Sequence, residues 1–179
     1  MRTLLASTTL ALGLAAGSAG AQTIVDVAVG APDFSTLVAA VTAADLGGTL
    51  SGAGPFTVFA PTNAAFAALP AATLAALLEP QNKDRLTQIL TCHAVAGEVT
   101  AAALVELIRQ GHGSATIKTV GGCRLTARLA GGAPVLVDEQ GRTARITATD
   151  LDATNGVIHV IDQVVLPSVA AQGGMAGSM

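Results

Sequence analysis

Phe56-Thr57-Val58-Phe59-Ala60-Pro61-Thr62-Asn63-Ala64-Ala65-Phe66-Ala67-Ala68-Leu69-Pro70 is an apolar strand that runs straight into a capped helix. Phe56, Val58 and Ala60 alternate onto one strand face, Thr57 and Phe59 onto the other. Pro61 ends the strand, because it has no N–H to give a ladder. Thr62 or Asn63 can cap the helix that follows.

Upstream of this unit the chain opens as a secretory signal. Arg2 supplies the positive start, and Leu4 to Ala16 is an apolar run too short to span a bilayer. Ala19-Gly20-Ala21 is a small-x-small cleavage pattern, so residues 1–21 are expected to be removed and the mature chain to begin at Gln22. That places the product in the periplasm or outside the cell, with no membrane insertion once the signal is gone. The 158 residues that remain carry a net charge of −4 and suffice for one domain with a sizeable core.

Composition excludes several functions. Scattered Lys and Arg in an acidic chain give no footprint for nucleic acid and no polybasic segment for anionic lipid. There is no Trp or Tyr, so bases and sugars lack their usual stacking platform. The two cysteines, Cys92 and Cys123, are an even count in an oxidising compartment, which favours one disulfide over two separately buried thiols.

The first half reads as helices. Asp33 is the expected N-cap for Phe34 to Ala44, where Phe34, Leu37, Val38 and Val41 fall on one face. Gly47-Gly48 is expected to end that unit. Helices follow over 63–69 and 71–78, with Pro70 and Pro80 between and after them. Asn82 is placed as the cap of Lys83 to Cys92, and Thr100 as the cap of Ala101 to Gln110. The second half reads as strands: Ala115 to Val120, Cys123 to Leu129, Val135 to Asp138, Arg142 to Thr149 and Val157 to Val165. Leu125, Ala127 and Leu129 point inward and Arg124, Thr126 and Arg128 outward. Asn155-Gly156 is a tight-turn dipeptide, and the strand after it is apolar on both faces, hence central. Helices followed by short strands indicate an α+β domain with an antiparallel-rich sheet or sandwich over 22–167, then a flexible Gly-rich tail over 168–179.

Three segments, in order, resemble the signature segments of the fasciclin domain family. The first is Phe56 to Pro70. The second is Leu90-Thr91-Cys92-His93-Ala94-Val95-Ala96-Gly97-Glu98-Val99. The third is Asn155-Gly156-Val157-Ile158-His159-Val160-Ile161-Asp162-Gln163-Val164-Val165-Leu166-Pro167. The resemblance implies a wedge-shaped β-sandwich with helices packed along one edge. It also implies a secreted, matrix or surface role in adhesion or association, with no reaction catalysed and no cofactor. Where the family usually has Tyr before the second-segment histidine, this chain has Cys92. A Cys92–Cys123 bridge would replace the lost tie between the helix end and a strand.

The motif residues carried over as structural or interacting are Thr62, Asn63, His93, Asn155, His159 and Asp162. His93 and His159 lie in apolar surroundings, where an imidazole needs hydrogen-bond partners, so a structural role is the plainer reading. Cys92, His93, His112, Cys123 and His159 lack the spacing of a zinc site, and a disulfide would consume a Cys92 nucleophile. Among the carboxylates, Asp33 and Asp152 are read as caps or turns, and no pair forms a general acid and base. Arg124, Arg128, Arg142 and Arg145 are either a solvated sheet face or a contact for an acidic partner or polysaccharide. Two functions follow: association with a surface or matrix protein or polysaccharide, or carriage of a small apolar molecule such as a lipid or pigment.

Overall fold

The computed structural model describes residues 22–167. Residues 1–21, read above as a signal, and residues 168–179 lie outside the described residues.

Seven helices and seven strands fold in the order α1 (Ile24–Gly30), α2 (Ser35–Ala43), α3 (Gly47–Leu50), β1 (Phe56–Pro61), α4 (Asn63–Ala67), α5 (Ala71–Leu78), α6 (Lys83–Cys92), β2 (Ala94–Ala96), α7 (Ala101–Gln110), β3 (Ser114–Lys118), β4 (Arg124–Ala130), β5 (Ala133–Val137), β6 (Thr143–Ala153) and β7 (Gly156–Ile161). The strands form one sheet in the order β2-β1-β7-β6-β5-β4-β3. All neighbours are antiparallel except β1 and β7, which run parallel from Phe56↔Gly156 to Pro61↔Ile161.

The sheet folds over at β6, whose pairing with β7 shifts register between Ile146 and Ala148 and again between Ala148 and Leu151. Such bulges bend a strand and raise its twist. The two ends of the sheet then nearly meet. Val120 N–H donates to Ala94 C=O at 2.8 Å, and Gly121 N–H to Thr91 C=O at 3.0 Å. Beside them Cys92 is bonded to Cys123, with Cα atoms 5.4 Å apart. The bridge joins the end of α6 to the start of β4.

Two apolar clusters result. One packs α1, α2, α4, α5 and α6 against Val58, Ala60, Ile158 and Val160. The other lies inside the folded sheet and joins Phe59 and Ile161 to Leu104 and Ile108 of α7 and to Leu125, Ala127 and Leu136. β1 and β7 are buried on both faces because each faces one cluster on either side.

Several expectations are corrected. Asp33 does not cap α2; it sits within a 3₁₀ turn, Pro32–Phe34, and makes no capping bond. Asn82 precedes α6 but its side chain donates to Ala76 C=O at 2.7 Å, tying the end of α5 instead. Gly47-Gly48 begins α3; the preceding helix stops near Asp45, whose φ is 59°. β6 runs on to Ala153, so Asp152 is a strand residue paired with Val157 rather than a cap or turn. β7 stops at Ile161, four residues short of Val165, because the chain turns away at Asp162 and Gln163. Leu129 is 38% exposed, near the strand end where the chain leaves the core.

Candidate functional site

The three family-like segments converge on β1, β7 and the chain between α6 and α7. Thr62 caps α4: its Oγ1 accepts from Ala65 N–H at 3.3 Å. Asn63 caps a different helix. Its Oδ1 accepts from Thr36 N–H at 3.0 Å while its Nδ2 donates to Pro32 C=O at 2.9 Å. The first turn of α2 is therefore capped from across the fold, which is why Asp33 is not needed there.

His93 is fully enclosed and bonded at both nitrogens. Nδ1 lies 2.8 Å from Ile89 C=O, and Nε2 accepts from Val165 N–H at 2.9 Å. A carbonyl can only accept, so Nδ1 carries the proton and the ring is neutral. Burial pushes its pKa from 6.5 to about 4, against the opposing pull of Ile89 C=O and Asp138. His159 is held the same way. Its Nε2 donates to Val99 C=O at 2.7 Å, and Nδ1 accepts from Asp150 N–H at 3.4 Å. Its ring stacks on Phe59 with centroids 5.5 Å apart.

Asn155 is a three-way tie. Its Oδ1 accepts from Ile24 N–H at 2.9 Å, and its Nδ2 donates to Leu50 C=O at 2.7 Å and Gly52 C=O at 3.1 Å. One side chain thus fixes the start of α1 and the end of α3. Asp162 accepts from Arg145 N–H at 2.7 Å and ties the start of β6 to the end of β7.

Two residues of equal weight escaped sequence reasoning. Thr57 Oγ1 donates to Gly97 C=O and accepts from Val99 N–H, both at 2.7 Å, pinning the connection from β2 to α7. Asp138 is buried at the β5–β6 turn. It accepts from Gln140 N–H, Arg142 N–H, Arg142 Nε and Leu166 N–H at 2.8–3.2 Å. Asp138 followed two and three residues later by Gln140-Gly141 is an Asx-turn pattern, so its turn role was legible. Thr57 carried no such signal.

Among the described residues, no three of His, Cys, Asp and Glu converge to hold a metal ion. His93 lies beside a bonded cysteine, so the Cys92 thiolate that nucleophilic chemistry would need is not present. His112 stands apart on the exposed turn after α7, with φ 57°.

An apolar cleft opens between α1, α2, α3 and the sheet. Ile24, Val25, Val29, Val38 and Leu50 line its walls, with Val58 and His93 deeper in. Its free volume is about 100 Å³, and Val29 at α1 is 63% exposed.

The arrangement defines an α+β module in which a folded mixed sheet is tied to flanking helices by buried histidines, amides and a disulfide. The chain belongs to the fasciclin domain family, whose model matches residues 32–167. It is 52% identical over 152 residues to Protein sll1483 of Synechocystis sp., covering 85% of this chain and 77% of that protein. It is 36% identical over 146 residues to the immunogenic protein MPB70 of Mycobacterium bovis, covering 76% of this chain and 64% of that one. Its fold matches a FAS1 domain pair from the insect cell adhesion molecule fasciclin I with a TM-score of 0.73 at 20% identity. That match covers 84% of this chain, which spans about half (52%) of the solved chain.

Proposed function

We propose that this protein is a secreted, non-catalytic association module acting in cell adhesion or at an extracellular or periplasmic surface. The observation that carries the reading is the use made of its polar residues. His93, His159, Asn63, Asn155 and Asp162 each bond a backbone group of a distant segment. They hold loops in place and are not aimed at a common point where a substrate would sit. The Cys92–Cys123 bond fits an oxidising compartment, and the insect protein of the same fold is a cell adhesion molecule. The test is direct: the full chain is coated on a surface and the retention of cells of the producing organism is counted. Retention above that of the heat-unfolded chain supports the reading; equal retention sinks it.

The cleft beneath α1 supports a second reading, carriage of a small apolar molecule. Its walls are almost wholly apolar. Yet about 100 Å³ is below the several hundred that enclose a drug-sized ligand, so a narrow chain or one end of a longer molecule is what fits. With no Trp or Tyr in the chain, a strong near-UV or visible band in an organic extract of the purified protein belongs to such a ligand. A colourless extract, free of lipid by mass, leaves association alone.

A further inference from the structure

Charge is distributed unevenly in this acidic protein. Residues 114–149 hold five Lys and Arg against two carboxylates, while 22–113 and 150–167 together hold three against ten. Register shows where the cations go. Residues directly opposite in neighbouring strands share a sheet face. Ala115, Ala127, Leu136 and Ala144 form one such row, facing the inner cluster. The next row, Ser114, Arg128, Val135 and Arg145, lies on the opposite, outer face, as does the pair Lys118 and Arg124. Lys118, Arg124, Arg128 and Arg145 are all exposed. Among the described residues, of the five cations of this segment only Arg142 pairs its side chain with a carboxylate, Asp138; the backbone N–H groups of Arg124 and Arg145 donate to Glu139 and Asp162, at 3.0 and 2.7 Å. Val135 is only 5% exposed although it lies on the outer face, with Arg128 and Arg145 opposite it on either side.

Lys118 directly opposite Arg124 is a like-charge pair, which costs stability in the isolated fold. Strand geometry puts Arg124 and Arg128 about 13–14 Å apart along β4, and Arg128 and Arg145 about 9–10 Å apart across the sheet. We propose that this outer face of β3–β6 binds an acidic polysaccharide, its carboxylate or sulfate groups taken by Lys118, Arg124, Arg128 and Arg145. The inference rests on the association reading above and names its surface and partner class. Spaced cations of one sign suit a linear chain that carries a charge every sugar or two. A second copy of this chain has the opposite charge but no anchor for such a face. It has no Trp or Tyr, and Phe34, Phe59 and Phe66 are buried.

The full chain is tested for binding to polygalacturonate, with neutral dextran and a DNA duplex alongside, at low and high salt. Salt-sensitive binding to polygalacturonate is expected, and Arg128→Gln with Arg145→Gln should weaken it about tenfold. Lys83→Gln with Arg85→Gln, on α6, should leave it unchanged. Thermal melts show whether the variants fold. Equal binding by wild type and the β-face variant overturns the proposal, as does equal affinity for dextran or DNA. Salt-sensitive self-association that the variant abolishes, without polygalacturonate binding, assigns the face to a second copy and also overturns it. If the coated chain retains cells while polygalacturonate binding fails, this inference falls and the association reading stands. If retention fails as well, both fall.

Discussion

His93 Nε2 accepts the N–H of Val165 across 72 residues of chain, and so ties the end of α6 to the segment that follows β7. The same segment is held from the other side by Asp138 at Leu166 N–H, by Arg142 at Val164 C=O and by Gln140 at Pro167 C=O. The end of the domain is a strap clasped between a helix terminus and a strand turn.

That clasp is pH-dependent. With the folded pKa depressed to about 4 from 6.5, the unfolded chain takes up a proton before the folded one does. The stabilisation is complete above the ordinary value and is lost as pH falls from 6.5 towards 4. The full span corresponds to about 3 kcal/mol. Urea unfolding at successive pH values should show this decline. In His93→Gln the protein starts less stable at neutral pH and the decline over that window flattens. An unchanged decline in the variant would assign it to other groups.

Asn63→Ala should destabilise the fold by about 1–2 kcal/mol, because Thr36 N–H and Pro32 C=O both lose their partner. Asp33→Ala should be near neutral, since Asp33 makes no capping bond. Denaturant midpoints of the two variants compared side by side check this. A larger loss at Asp33 would contradict the cap described here.

Gly156 packs against the backbone of Phe56 in the parallel β1–β7 pair, with φ 152°. A Cβ there would overlap the Phe56 carbonyl. Gly156→Ala is expected to cost about 2 kcal/mol or more, by overpacking two central strands. Hydrogen exchange should locate the loss in β1 and β7, where protection would fall together.

The Cys92–Cys123 bond closes a separation of 31 residues, and in the chain-entropy model contributes roughly 3–4 kcal/mol. The double Cys→Ala variant should lose about that much unfolding free energy, as should the wild type after reduction. Thiol alkylation without reductant should label neither cysteine. Labelling of both would remove the bridge from the account.

Much of the fold was legible because its signals are local. The alternation of Phe56 to Ala60, the cap at Thr100 and the helix over 71–78 each rest on residues within a few positions, and each stands as read. Errors came where a polar side chain had two plausible uses. Asp33 and Asn82 sit where caps sit, but both helix starts found other solutions. Of Thr62 and Asn63, either of which could cap the helix after β1, Thr62 does so, while Asn63 caps α2, some 27 residues earlier.

Sequence by itself determined most of the strands and helices, though not α1 or α3, which faces are apolar, and which residues carry the family likeness. Only the tertiary structure decided that β1 and β7 run parallel, that His93 meets Val165, and that four cations share the outer face of one sheet. The reason is physical. Periodicity and capping act over one or two turns of chain, whereas hydrogen-bond partners and sheet rows are fixed by register between segments far apart in sequence. That register is set by how the two apolar clusters close, which no single segment encodes.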